Sequence, residues 1–145
     1  MQKEIEDFCS LFTLTPNISI LDLNVEFKDM TQILNDLVEP VSGTITTINT
    51  SKLNEIRAKA KRSNYDYGVI SNQILQQDDK YLLMKLISMA IRDSGYIVIL
   101  EQKEKDTSAI YKLLEEFDYG AVSCIDIFSN YSLIIGKKLH MWGMD

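Results

Sequence analysis

Apolar positions along the chain switch repeatedly between a helical and a strand period. Ile5, Phe8, Cys9 and Phe12 fall at i, i+3, i+4 and i+7, one face of a helix. Residues 13–17 carry Pro16, which separates that helix from the next element. The run from Ile18 to Leu23 reads as a short, largely buried strand. Met30, Ile33, Leu34, Leu37 and Val38 return to helical spacing, and Pro40 closes that helix. Residues 43–49, rich in β-branched side chains, predict a second strand. Thr50 or Ser51 is then placed to cap a helix running to about Arg62, apolar only at Leu53, Ile56 and Ala60.

The second half is more regular. Residues 65–71 predict a strand, and a helix runs from Lys80 to Arg92, stopped by Ser94-Gly95. Residues 96–100 form the next strand, and Ile110, Leu113, Leu114 and Phe117 define another helix, with Glu115 and Glu116 facing out. Two apolar runs, 122–128 and 131–135, are separated only by Ser129-Asn130, which predicts an antiparallel hairpin. Strands joined by a helix are parallel neighbours with a right-handed crossover. The order therefore predicts an α/β fold whose parallel sheet has an antiparallel strand near one edge.

Composition narrows the class. The chain has 145 residues, 46% hydrophobic and 25% charged, which suits one soluble domain with a sizeable core. A net charge of −6 argues against general affinity for nucleic acid or anionic lipid. No apolar run is long enough to span a membrane, and the charged N-terminus lacks the apolar core of a signal peptide. Cys9 and Cys124 lie far apart in apolar patterns and read as reduced core residues, so a cytoplasmic location is expected. His140 is the single histidine and has no nearby partner for zinc or for nucleophilic catalysis. No metal site and no catalytic acid–base pair is nominated. Residues 51–62 present Lys52, Arg57, Lys59, Lys61 and Arg62 against Glu55 alone; this is either an anion or partner site or a solvated face. The helix has no aromatic residues to stack on bases, which speaks against nucleic acid.

In this order the chain resembles the class I S-adenosylmethionine-dependent methyltransferases, over roughly residues 18–136. Residues 65–71 resemble the family's fourth strand. The helix from Leu82, the Asp93-Ser94-Gly95 turn and the strand from Tyr96 to Glu101 resemble its next helix, turn and fifth strand. Ile20-Leu21-Asp22-Leu23 resembles the opening of its first motif. The resemblance implies a Rossmann-like three-layer αβα sandwich of about six strands, with the family's third strand and its helix missing. It divides residues 1–145, one domain, into an N-terminal helical extension (1–17), a sheet core (18–136) and a tail (137–145).

The resemblance also implies S-adenosylmethionine as cofactor and Asp22, Asn24, Asn49, Ser71 and Asn72 as the positions that would meet it. In the family a glycine-rich loop lets the cofactor lie against backbone. Here the glycine positions hold Asn24, Glu26 and Lys28, and Phe27 adds bulk. The acidic residue that usually accepts from the ribose hydroxyls is Asn49, a weaker, uncharged acceptor. Ser71 and Asn72 stand where the family reads adenine or substrate, or else cap a loop. Two functions are compatible with this pattern: a small methyltransferase with a divergent loop, or a non-enzymatic interaction module that kept the scaffold. The apolar tail Leu139, Met141 and Trp142 would pack back on its own domain or form a homodimer or protein-partner contact. A nucleotide-binding module is disfavoured, because neither a G-x-x-x-x-G-K-[ST] nor a G-x-G-x-x-G sequence occurs.

Overall fold

The computed structural model of the protein describes residues 2–27, 29–62 and 64–139. Its helices are α1 (Gln2–Cys9), α2 (Asp29–Val38), α3 (Leu53–Lys59), α4 (Lys80–Ala90) and α5 (Ser108–Glu116). Its strands are β1 (Ser19–Asn24), β2 (Thr44–Ile48), β3 (Tyr65–Ser71), β4 (Ile91–Gln102), β5 (Tyr119–Ile125) and β6 (Tyr131–Lys138). They form one six-stranded sheet in the order β2-β1-β3-β4-β6-β5. The first four strands pair in parallel, and β6 runs antiparallel to both β4 and β5. The fold is an α/β three-layer sandwich with a mixed sheet, as the patterning and the resemblance lead one to expect.

Strand alternation sends neighbouring residues to opposite layers. Ile20, Val69, Val98 and Leu100 face α1 and α2, packing with Phe8, Met30 and Leu34. Leu21, Leu23, Ile70, Ile97 and Ile99 face α3, α4 and α5, packing with Ile56, Leu83, Ile87 and Ile110. Helix α3 contributes one fully buried residue, Ile56. That burial stabilises its docking by about 1.5–3 kcal/mol, so α3 is the thinly buried helix its pattern predicts.

At the amino end of the sheet, charged groups are fully engaged. Lys138 is buried, and its Nζ donates to the Ser88 and Ile91 carbonyls, each at 2.6 Å. It thereby closes the carbonyl end of α4, where a cation is also favoured by the helix dipole. Asp66 accepts from the Ser19 amide at 2.8 Å and pairs with Arg92, tying the starts of β1, β3 and β4 together. Tyr119 and Ser88 share a buried hydroxyl–hydroxyl bond of 3.0 Å, and burial pushes the tyrosine up to about 12.

Four sequence expectations are corrected. Helix α4 passes directly into β4 at Ile91, and residues 93–95 form a bulge in that strand rather than a helix-stopping turn. Ser94 takes the left-handed backbone (φ 67°), and Gly95 is needed because a Cβ there would lie 2.7 Å from the Asp66 carbonyl oxygen. The hairpin link is residues 126–130, not two residues; Phe128 leaves the strand line to pack 5.5 Å from Phe8, while Asp126 is exposed against Lys103. Helix α3 is shorter than expected and its N-cap is Lys52; Thr50 instead donates to Glu55 and accepts from the Lys52 amide. Cys124 is exposed and Cys9 half-buried, so neither is a full core residue. His140, Met141 and Trp142 lie outside the described residues. Among the described residues no helix is long and apolar enough to cross a membrane.

Candidate functional site at the carboxyl edge of the sheet

In an open α/β sheet, ligands sit beyond the carboxyl ends of the strands where the strand order reverses. Here the reversal falls between β1 and β3, which pair from Ile20↔Tyr67 to Asn24↔Ser71. Four of the five sequence-predicted positions gather there. Asn24 and Ser71 are register partners, Asn72 comes directly after Ser71, and Asp22 lies one residue pair back on the same face as Asn24. Asn49, just past β2, is exposed at the rim.

Asp22 is fully buried between β1 and α2. Its Oδ2 accepts from the Thr31 hydroxyl at 2.6 Å and the Thr47 hydroxyl at 3.2 Å, so it ties α2 and β2 to the strand between them. Burial pushes its carboxyl above the ordinary carboxylate range, and the two hydroxyl bonds pull the other way.

The loop after β1 is held shut by its own side chains. The Asn24 amide bonds to both backbone groups of Phe27: its Nδ2 donates to the carbonyl and its Oδ1 accepts from the N–H at 2.7 Å. Such a side-chain-to-backbone ring is the local alternative that asparagine offers to regular structure. Glu26 reaches across to β3 and accepts from Asn72 Nδ2 at 3.0 Å. The Phe27 ring stacks on Tyr131 at 5.0 Å and meets Phe128 edge-on at 6.3 Å. One loop thus spans from β1 to the start of β6. Asn72 itself sits in the left-handed region (φ 60°), where asparagine is tolerated, and its N–H donates to the Leu100 carbonyl at 2.7 Å.

One site residue was not anticipated. Glu101, at the end of β4, is fully buried, and its Oε2 accepts from the Ile74 amide at 3.0 Å and the Leu75 amide at 3.2 Å. Burial raises its carboxyl, opposed by those two amides and by Lys105 and Lys80. The available signal was an acid directly after the buried run Ile97–Leu100.

Buried polar atoms are nearly always hydrogen-bonded. Among the described residues four here have no partner: Asp22 Oδ1, Ser71 Oγ, Asn72 Oδ1 and Glu101 Oε1. All four can accept, and all belong to the ends of β1, β3 and β4. Where the Phe27 loop meets α1, Ile5, Phe27, Asp29, Ile33, Phe128 and Tyr131 line a mainly apolar cavity of about 110 Å³, which none of those four polar residues lines. Among the described residues no group of three or more acidic, histidine or cysteine side chains is placed to hold a metal.

No protein-family profile matches the chain, and no curated protein matches it by sequence. Solved structures do match. A SAM-dependent O-methyltransferase from Thermotoga maritima superposes with a TM-score of 0.71 at 12% identity, over 96% of this chain and 66% of that one. A SAM-dependent methyltransferase from Aquifex aeolicus gives 0.66 at 10% identity, over 93% and 89%. The Burkholderia thailandensis 1,6-didemethyltoxoflavin-N1-methyltransferase, solved with S-adenosylhomocysteine, gives 0.66 at 9% identity, over 94% and 79%. Against some other structures the chain spans about half the length, as with 52% of the CurJ carbon methyltransferase and 55% of the pyocyanin biosynthetic protein PhzM. The chain therefore has a class I SAM-dependent methyltransferase-like fold.

Proposed function

We propose that this protein is a non-catalytic interaction module built on the methyltransferase-like scaffold, with its cofactor loop closed by its own side chains. The observation that carries the reading is the Asn24–Phe27 clasp. Where backbone would have to approach S-adenosylmethionine, Asn24 and Glu26 carry side chains already bonded to Phe27 and Asn72. The Phe27 ring is engaged with Tyr131 and Phe128. The residues present therefore do not fit the family's cofactor while the loop is closed.

Calorimetric titration of the folded chain with S-adenosylmethionine and S-adenosylhomocysteine tests this. Absence of heat at high micromolar ligand supports the module. Saturable micromolar binding overturns it.

A second reading, a small S-adenosylmethionine-dependent methyltransferase, is favoured by the four unpartnered acceptors at the strand ends. The cofactor's amines and ribose hydroxyls are donors of the kind such atoms require. In that reading Asp22, Asn24, Asn49, Ser71 and Asn72 bind it once the loop opens. Its mark in the same titration is binding weakened by Asn49→Ala, since Asn49 would accept from the ribose.

A further inference from the structure

The two edges of the sheet are built differently. Strand β5 is irregular: its register with β6 shifts between Gly120 and Ser123, and Ala121 has a positive φ of 51°. Bulges of this kind keep an edge from pairing with another chain. Strand β2, at the opposite edge, keeps an unbroken register with β1 from Ser19↔Thr44 to Leu23↔Ile48. Its sequence, Thr44-Ile45-Thr46-Thr47-Ile48, contains no charge, proline or glycine. The Thr44 amide bonds to Ile18 in the β1 direction, so by alternation the N–H and C=O groups of Ile45 and Thr47 point away from β1. Among the described residues no strand pairs with that side.

Charge flanks this edge asymmetrically. On one layer, α3 and its exit hold Lys52, Arg57, Lys59, Lys61 and Arg62, all exposed and none in an ion pair among the described residues. On the other layer, α2 and the turn after it expose Asp36 and Glu39 and carry no lysine or arginine. A two-fold pair of β2 strands would be antiparallel and would set α3 against α3 and α2 against α2, like charge against like. The edge is therefore unsuited to a second copy of this chain.

We propose that β2 and α3 form a docking surface for an extended acidic segment of another protein, which adds to the sheet as a seventh strand. Main-chain bonds to Ile45 and Thr47 would supply affinity. Acidic side chains on the α3 layer, alternating with uncharged ones on the α2 layer, would supply selectivity. The proposal goes beyond the question of cofactor binding and holds under either reading of the carboxyl edge.

The test uses the full chain and two labelled synthetic peptides of about six residues, one alternating valine with glutamate and one alternating valine with lysine. By fluorescence anisotropy the glutamate peptide is expected to bind, with about tenfold preference over the lysine peptide. Charge reversal at exposed Arg57→Glu, Lys59→Glu and Lys61→Glu should remove about tenfold of that binding, as expected for a few solvated ion pairs. Ile45→Pro, which removes one outward N–H, should weaken both peptides alike. Hydrogen exchange gives an independent readout: the Ile45 and Thr47 amides should exchange freely in the chain alone and slow by about tenfold with the glutamate peptide. Equal affinity for the two peptides, no binding of either, or protection of these amides in a sedimenting dimer without peptide would each overturn the proposal.

Discussion

The two ends of the sheet make opposite use of polar residues. At the amino end, buried Lys138 fills two carbonyls of α4 and its exit, Asp66 joins three strands, and Tyr119 answers Ser88. At the carboxyl end, Asp22 and Glu101 are as deeply buried, yet each keeps an oxygen without a partner, as do Ser71 and Asn72. The amino end uses its polar groups to hold elements together; at the carboxyl end one oxygen of each carboxylate does the same while the other is left without a partner among the described residues. Unsatisfied buried groups cost stability and call for a reason beyond packing. The contrast is what makes the carboxyl end the candidate site.

The sharpest test of that contrast is to break the amino end. Lys138→Met should cost about 3 kcal/mol in urea unfolding, because the Ser88 and Ile91 carbonyls are left buried and the replacement offers no donor. A loss no larger than that of an exposed lysine would erase the distinction. At the carboxyl end, Glu101→Ala should cost about 2 kcal/mol, because it strips the acceptor from the Ile74 and Leu75 amides. Opening the loop should be milder still. Asn24→Ala removes two local bonds at a loss of about 1 kcal/mol, read by chemical denaturation, and should speed exchange at the Phe27 amide.

The smallest effect should have the opposite sign. The Asp22 carboxyl is raised in the folded chain, so the unfolded chain loses its proton first as pH rises. Stability then falls between the ordinary carboxylate value, about 4, and the raised folded one, and stays lower at neutral pH. Asp22→Asn keeps an acceptor for Thr31 and Thr47 without the buried charge. It should raise the melting temperature at neutral pH and flatten the stability profile across the mildly acidic range. A variant less stable than the parent at neutral pH would mean that the two hydroxyl bonds outweigh burial.

Much of the sheet was legible because its strands are short apolar runs bounded by polar residues; residues 65–71 coincide with β3. The element order also sufficed for a mixed sheet. What failed was local and has specific causes. The run ending at Phe128 looked like continuous strand, because an apolar residue that leaves the strand to meet Phe8 carries the same sequence signal. The pair Ser94-Gly95 read as a helix stop, although left-handed backbone serves a strand bulge equally well. At the candidate site, Asp22, Asn24, Ser71 and Asn72 were nominated by motif position, and the fold brings these four together. Their partners were not, since Glu26 meets Asn72 only once β1 and β3 are adjacent. The Asn24 ring was within reach of the sequence, because asparagine commonly bonds backbone a few residues on.

The Asn24–Phe27 clasp also sets a rate. If a ligand is aimed at the strand ends, it would have to wait for the loop to leave Tyr131 and Asn72, and its capture would not outrun loop opening at any concentration. Its apparent affinity is divided by the rarity of the open form: each ~1.4 kcal/mol by which closure is favoured weakens binding about tenfold. The Asn24, Glu26 and Phe27 contacts together would then act as a threshold, admitting only a visitor whose intrinsic affinity exceeds the cost of undoing them.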